Sequence, residues 1–234
     1  MSCSHRGVIH VAGIIDAEEA RLLIECGVEF LGFPLVLGHH EEDLSEEAAA
    51  AIVDELRDEA TFFLITYLDD ADRIVALCRR LGVSTAQLHG PIALEEVQKL
   101  RASRPSLRII KSLIVRKDDA AGLLDEIDRF APFVDAFITD TCDPQTGAIG
   151  ATGKTHDWDV SRKLALKSPK PLILAGGLHP DNVAEAIQKV RPTGVDVHTG
   201  VEGPDGRKDR AKVERFLREA RRGFAQIAGA VTSA

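Results

Sequence analysis

Basic charge is the first thing this chain lacks: 29 Lys and Arg stand against 37 Asp and Glu, a formal net charge of −8. No Lys/Arg block interleaves with aromatics, which make up only 5% of the residues. Both absences argue against nucleic acid and anionic membrane as partners. An anion has to be held locally, by backbone N–H groups and a few placed side chains. Long apolar runs are absent too, and nothing approaches the ~18 residues that span a bilayer. The start, Met1-Ser-Cys-Ser-His-Arg-Gly7, has no apolar core of a targeting signal, so the expected location is the cytoplasm. The four cysteines, Cys3, Cys26, Cys78 and Cys142, are scattered without C-x-x-C spacing and read as free thiols. No Pro/Ser-rich linker or shift of composition marks a domain boundary.

What is present is a core of ordinary size: 234 residues, 44% apolar and 28% charged. That suits one domain over residues 1–234, with 1–6 and about 226–234 expected as loose ends or an extension. The apolar tail from Phe224 to Val231 reads equally as a helix extension that packs on a partner and as fraying.

Apolar runs and amphipathic stretches alternate along the chain. Strands are expected at Gly7–Gly13, Phe30–Leu35, Thr61–Tyr67, Thr85–Leu88, Leu107–Leu113, Val134–Thr139, Leu172–Ala175 and Gly194–His198. Helices are expected at Ala17–Cys26, Ser45–Arg57, Asp70–Leu81, Ala93–Ala102, Asp118–Phe130, Asp157–Leu166, Pro180–Val190 and Lys208–Arg222. Strict alternation implies parallel strands joined by right-handed crossovers. The simplest closure of eight such units is a single (β/α)₈ TIM barrel, an α/β fold; an open doubly wound sheet is the competing reading. In a barrel the chemistry sits where strands end. The residues to inspect are Ala12, Gly38–Asp43, Tyr67, His89, Lys111, Asp140, Gly176 and His198.

The most informative stretch is Leu174-Ala-Gly-Gly-Leu-His-Pro-Asp-Asn-Val183. A buried strand runs into Gly176 and Gly177, whose backbone N–H groups can approach an anion closely, and a helix N-terminus follows. Val195-Asp-Val-His-Thr-Gly-Val-Glu202 repeats the arrangement with Gly200. Phosphate between the seventh and eighth loops is a recurring barrel arrangement. Phe137-Ile-Thr-Asp-Thr141 brings a carboxylate, Asp140, to the sixth strand end, where a helix cap or turn is the plainer alternative. Ala148-Ile-Gly-Ala-Thr-Gly-Lys-Thr155 fits a P-loop only loosely: its strand ends too early and its helix starts too late. It reads instead as a glycine-rich lid, with Gly153 near the ligand.

Together these stretches resemble the phosphoribosylanthranilate isomerase family. The match runs through Val11–Ile14, Leu31–Phe33, Gln87-Leu-His-Gly90, Thr139–Thr141, Thr152–Trp158, Leu174–Val183, Val195–Glu202 and Gly206–Asp209, nearly the whole chain. The resemblance implies a barrel enzyme of tryptophan biosynthesis that rearranges an aminoaldose phosphate to an aminoketose phosphate. It implies that Asp140 is the general acid that opens the furanose ring. Gly153, Gly176, Gly177, Asp196, Thr199, Gly200 and His89 are then the expected phosphate- and substrate-binding residues.

The chain also departs from the family. The family's base is a cysteine within a Lys-Ile-Cys-Gly-Ile pattern, and this chain has His10-Val-Ala12-Gly-Ile there. The arginine expected to clamp the anthranilate carboxylate is replaced by Gly38-His-His-Glu-Glu-Asp43, and the usual serine pair of strand eight is His198-Thr199. Candidate replacement bases are His10, His198 and Cys142, since imidazole suits proton abstraction at neutral pH. His10, Asp196 and His198, with Asp140 or His89, also form a candidate N/O metal site; the plainer reading is interior histidines and no cofactor. Two further readings are a relative that isomerises or epimerises another sugar phosphate, with metal assistance, and a silent phosphate-ligand binder. The expected partner is a small phosphorylated molecule, and the expected assembly a monomer or homodimer.

Overall fold

The computed structural model describes residues 7–37, 44–116, 119–141 and 157–231. The Gly38–Asp43 loop, the candidate base Cys142 and the candidate ligand-binding Gly153 lie outside the described residues.

Eight parallel strands close on themselves in sequence order. They are β1 (Val8–Ala12), β2 (Phe30–Pro34), β3 (Thr61–Thr66), β4 (Thr85–Leu88), β5 (Arg108–Val115), β6 (Ala136–Thr141), β7 (Leu172–Leu174) and β8 (Gly194–Val197). Each is followed by a helix: α1 (Ala17–Glu25), α2 (Glu46–Leu56), α3 (Ala71–Leu81), α4 (Leu94–Ser103), α5 (Ala120–Phe130), α6 (Trp158–Lys167), α7 (Val183–Val190) and α8 (Arg210–Val231). The open-sheet alternative is thereby excluded, because β1 pairs with β8 through Val8↔Gly194 to Val11↔Val197.

Local chemistry sets the helix starts. Asp16, Ser45 and Asp70 each accept a hydrogen bond from the backbone N–H three residues on, and Asp157 from Asp159. Such caps satisfy donors that the first turn leaves orphaned, worth about 1 kcal/mol each. Alternation along each strand then sorts the side chains. Leu31, Phe33, Leu64, Phe137, Val195 and Val197 face the helix ring and join its large apolar cluster. Ile110, Ala136, Ile138, Ile173 and Ala175 fill one side of the barrel interior, and Ala12, Phe63 and Ile65 the other.

Two expectations are corrected, and the reading of the tail is decided. Lys111 is not at a strand end, because β5 runs on to Val115; it points outward, near Glu126 at 3.6 Å. Pro180 does not open α7, which begins at Val183: the Asn182 amide accepts from His179 N–H and donates to the Gly177 carbonyl, holding that segment in a turn. The closing helix continues past Arg222 to Val231, the helix-extension reading of the tail rather than fraying.

Candidate active site

The strand ends place a polar cluster at the C-terminal mouth of the barrel. Asp140 is the penultimate residue of β6 and points inward, nearly buried. Thr139, facing outward beside it, donates from its hydroxyl to the Ala175 carbonyl (3.2 Å) and accepts from Ala175 N–H (3.1 Å). This bond pair locks β6 to β7 where the β7 ladder is only three residues long, and so fixes the height of Asp140.

Asp140 is held by a chain of buried polar groups. One carboxylate oxygen accepts from Thr141 N–H at 2.6 Å, and the other lies 3.3 Å from His89 Nε2. His89 Nδ1 is 3.2 Å from the Ser112 hydroxyl, which the Gln87 amide approaches at 3.4 Å. The Tyr67 ring meets His89 edge-on at 4.8 Å. Gln87, His89 and Ser112 all face inward because they share parity on β4 and β5. Only the β4–β5 register, Gln87↔Ile110 and Leu88↔Lys111, brings Ser112 beside the histidine. Ser112 was not expected from the sequence; its inward parity with Ile110 was the available signal.

A second polar pair lies across the barrel on β1 and β8. His10 and Asp196 are register partners, with Nδ1 and Oδ1 3.9 Å apart, too far for a hydrogen bond. Both atoms are buried, and neither has a hydrogen-bond partner among the described residues. Beneath, His10 packs against Phe63 (4.7 Å between centroids) and Phe30 (5.4 Å). Ala12, two residues up the same face, is covered by Phe63 and Ile65 and offers no proton acceptor.

Burial controls the charges here. It pushes Asp140 up to about 7, against the Thr141 hydrogen bond that favours the carboxylate. It pushes Asp196 up to about 8, helped by the Asp140 charge and opposed by Lys208. His10 goes the other way, to about 4, through burial and then the Arg108 charge, so its imidazole is neutral at pH 7. Both carboxyls are thus held well above the usual carboxylate range, toward neutral pH.

His198 is not part of that pair. Its Nε2 lies 3.5 Å from Glu202 and its ring sits over Gly13, where even a Cβ would come within 2.0 Å of that nitrogen. Glu202 in turn binds the buried Lys208 ammonium at 2.8 Å. Glu19 accepts from Lys208 N–H and from Ile15 N–H, so the loops after β1 and β8 are tied together. The proposed metal set of His10, Asp196 and His198 is accordingly not assembled: among the described residues no three His, Cys, Asp or Glu side chains are grouped to hold an ion.

The glycine loops sit beside this cluster. Gly176 and Gly177 take φ of 98° and 64°, left-handed values that side chains resist. Thr199 and Gly200 lie in a short 3₁₀ turn, Thr199–Val201, after β8. A Cβ at Gly200 would stand 1.9 Å from the Leu178 carbonyl, so the seventh and eighth loops touch through backbone alone.

A closed α/β barrel that carries two buried carboxyls and two glycine loops at the C-terminal ends of its strands has the layout of a barrel enzyme. Comparison with known proteins gives the particular kind. The family model of N-(5'-phosphoribosyl)anthranilate isomerase matches residues 11–219. N-(5'-phosphoribosyl)anthranilate isomerase 2 of Methanosarcina mazei is 37% identical over 220 residues, covering 94% of this chain and 96% of that protein. The solved isomerase of Pyrococcus furiosus superposes with a TM-score of 0.77 at 27% identity, covering 92% of this chain and 99% of that one. A solved phosphoribosylanthranilate isomerase in complex with reduced 1-(o-carboxyphenylamino)-1-deoxyribulose 5-phosphate gives 0.74 at 25% identity, covering 91% and 97%. The chain belongs to the N-(5'-phosphoribosyl)anthranilate isomerase family.

Proposed function

We propose that the protein isomerises N-(5'-phosphoribosyl)anthranilate to the corresponding aminoketose phosphate, a step of tryptophan biosynthesis. Family membership over residues 11–219 supports the reaction. The observation that carries the reading on this chain is the buried Asp140 at the end of β6, held by Thr141 and His89 and kept near neutral pKa. A general acid works best with a pKa close to the operating pH.

Asp140 gives its proton to the furanose ring oxygen as the bond from that oxygen to C1 breaks, and the anthranilate nitrogen's pair forms the Schiff base. The phosphate is held by backbone N–H groups of the loops at Gly176–Gly177 and Thr199–Gly200, with Gly153 contributing from the segment before α6. Local amides suit a chain with net charge −8, which offers no broad basic surface. His89 orients Asp140. His198 belongs to the Glu202–Lys208 group that fixes the eighth loop, and its role is to shape that loop. The reading places the enzyme in the cytoplasm, working without a cofactor on a small phosphorylated substrate. The test is turnover of phosphoribosylanthranilate, followed as loss of its fluorescence, in purified protein with and without chelator.

A further inference from the structure

Ring opening needs an acid, but the second half of the reaction needs a group that removes the C2 proton, and Ala12 has none. Two differences from the family pattern fall on one strand face: alanine at 12 in place of the thiol, and histidine at 10 in place of lysine. The register His10↔Asp196 shows what the second change does. A lysine at position 10 would stand beside the Asp196 carboxylate as a cation and would weaken it as a base. The imidazole that replaces it is neutral and makes no hydrogen bond to it at 3.9 Å.

We propose that Asp196 is the catalytic base of this enzyme, taking over from β8 the proton abstraction that the family's cysteine performs from β1. The assignment rests on the function proposed above. Asp196 meets the need by placement: it points into the barrel, its Oδ1 is buried and unpartnered, and it senses the charge of Asp140. Of the other candidates, Cys142 lies outside the described residues, and the two histidines are set apart by their surroundings. His198 is turned onto Gly13 and Glu202, and His10 lies between Phe30 and Phe63 beneath the cluster. Groups facing Asp196 are His10 from β1, Asp140 from β6 and Lys208 from the segment before α8.

The protons balance within the pair. The cycle starts with the proton on Asp140 and with Asp196 ionised; once Asp140 has given its proton to the ring oxygen, the cationic Schiff base stabilises the Asp196 carboxylate. Its carboxylate takes the proton from C2; the C–H pair forms the C1=C2 bond, and the C1=N pair returns to nitrogen. The resulting enolamine gives its C2 hydroxyl proton to Asp140 and takes the proton held by Asp196 onto C1. Both carboxyls end as they began.

The test uses three variants of the full chain: Asp196→Asn, Asp196→Asn with Ala12→Cys, and His10→Lys. Asp196→Asn is expected to lower kcat about 10³-fold while leaving affinity for the reduced product analogue within a few-fold. Adding Ala12→Cys returns a thiol base and is expected to restore at least about tenfold of that loss. His10→Lys keeps Asp196 but sets a cation beside it, and is expected to lower kcat about tenfold, the rate recovering as pH rises. Turnover of Asp196→Asn within about tenfold of wild type, or no recovery with the thiol, overturns the assignment and leaves the function standing. If Asp196→Asn does not fold, His10→Lys decides: unchanged kcat overturns the assignment. Wild-type protein that binds the analogue but never turns over substrate removes the proposed function and this assignment together.

Discussion

The two carboxyls of the site are treated differently by the fold. Asp140 is braced: Thr141 N–H and His89 hold its two oxygens, and Ser112, itself approached by the Gln87 amide, holds His89 in turn. Asp196 is left bare, with a buried oxygen that nothing among the described residues binds, against a neutral imidazole 3.9 Å away. A buried, unpaired polar atom costs about 1–3 kcal/mol, which a partner arriving with the substrate would offset. The contrast teaches that one group is built to hold a proton in a fixed place, and the other to meet something that arrives with the substrate.

The sharpest way to break the comparison is at the braced side. Asp140→Asn removes the transferable proton and keeps the shape, and kcat should fall about 10³- to 10⁴-fold with the reduced product analogue still bound. Steady-state kinetics with analogue titration checks it; activity within tenfold of wild type sinks the acid assignment.

A smaller effect is expected one step out. His89→Ala frees one oxygen of Asp140 and should lower kcat about 10- to 100-fold with little change in KM. His89→Gln, which keeps an N–H donor, should recover part of that loss. Equal losses in both variants, or a change in KM alone, would show that His89 is mere packing.

The smallest effect is on stability. Both carboxyls have folded pKa values raised above their ordinary 3.8, to about 7 and about 8. A carboxyl with a raised folded pKa stabilises fully below its unfolded value, and that stability is lost as pH rises through the folded one. For Asp140 the loss is on the order of 4 kcal/mol when complete. His10, lowered to about 4, acts oppositely, costing stability as pH falls below 6.5, so above that pH the carboxyls act alone. Wild-type Tm should therefore fall from pH 6.5 to pH 8.5, and Asp196→Asn should flatten that slope, raising Tm at pH 8.5 by about 5 °C. A wild-type Tm independent of pH across that range contradicts the burial of these charges.

Much of this was legible in the sequence, for specific reasons. Apolar alternation carried the eight β/α units, and the motif Phe137–Thr141 put a carboxylate at the sixth strand end. The meeting of His10 with Asp196 follows from parity once β1 and β8 are neighbours, and parity is written in the chain. Other features depend on geometry that parity does not encode. His198 shares its side with Asp196, yet the 3₁₀ turn at Thr199–Val201 swings it onto Glu202. The support of His89 by Ser112 rests on a register between β4 and β5 that no local pattern specifies. The start of α7 moved because Asn182 bonds back to the loop rather than capping the helix. Glu19, which ties the loops after β1 and β8 together, sits in the first turn of α1, where nothing in the local sequence sets it apart from its neighbour Glu18.

The central claim is that this barrel opens and rearranges phosphoribosylanthranilate with its own carboxyls. The most direct measurement is fluorescence-detected turnover of that substrate by wild-type protein beside Asp140→Asn, each with chelator present. The account predicts saturable turnover by wild type, untouched by chelator and abolished by the substitution. Folded wild-type protein that binds the reduced product analogue and leaves the substrate unchanged would contradict it.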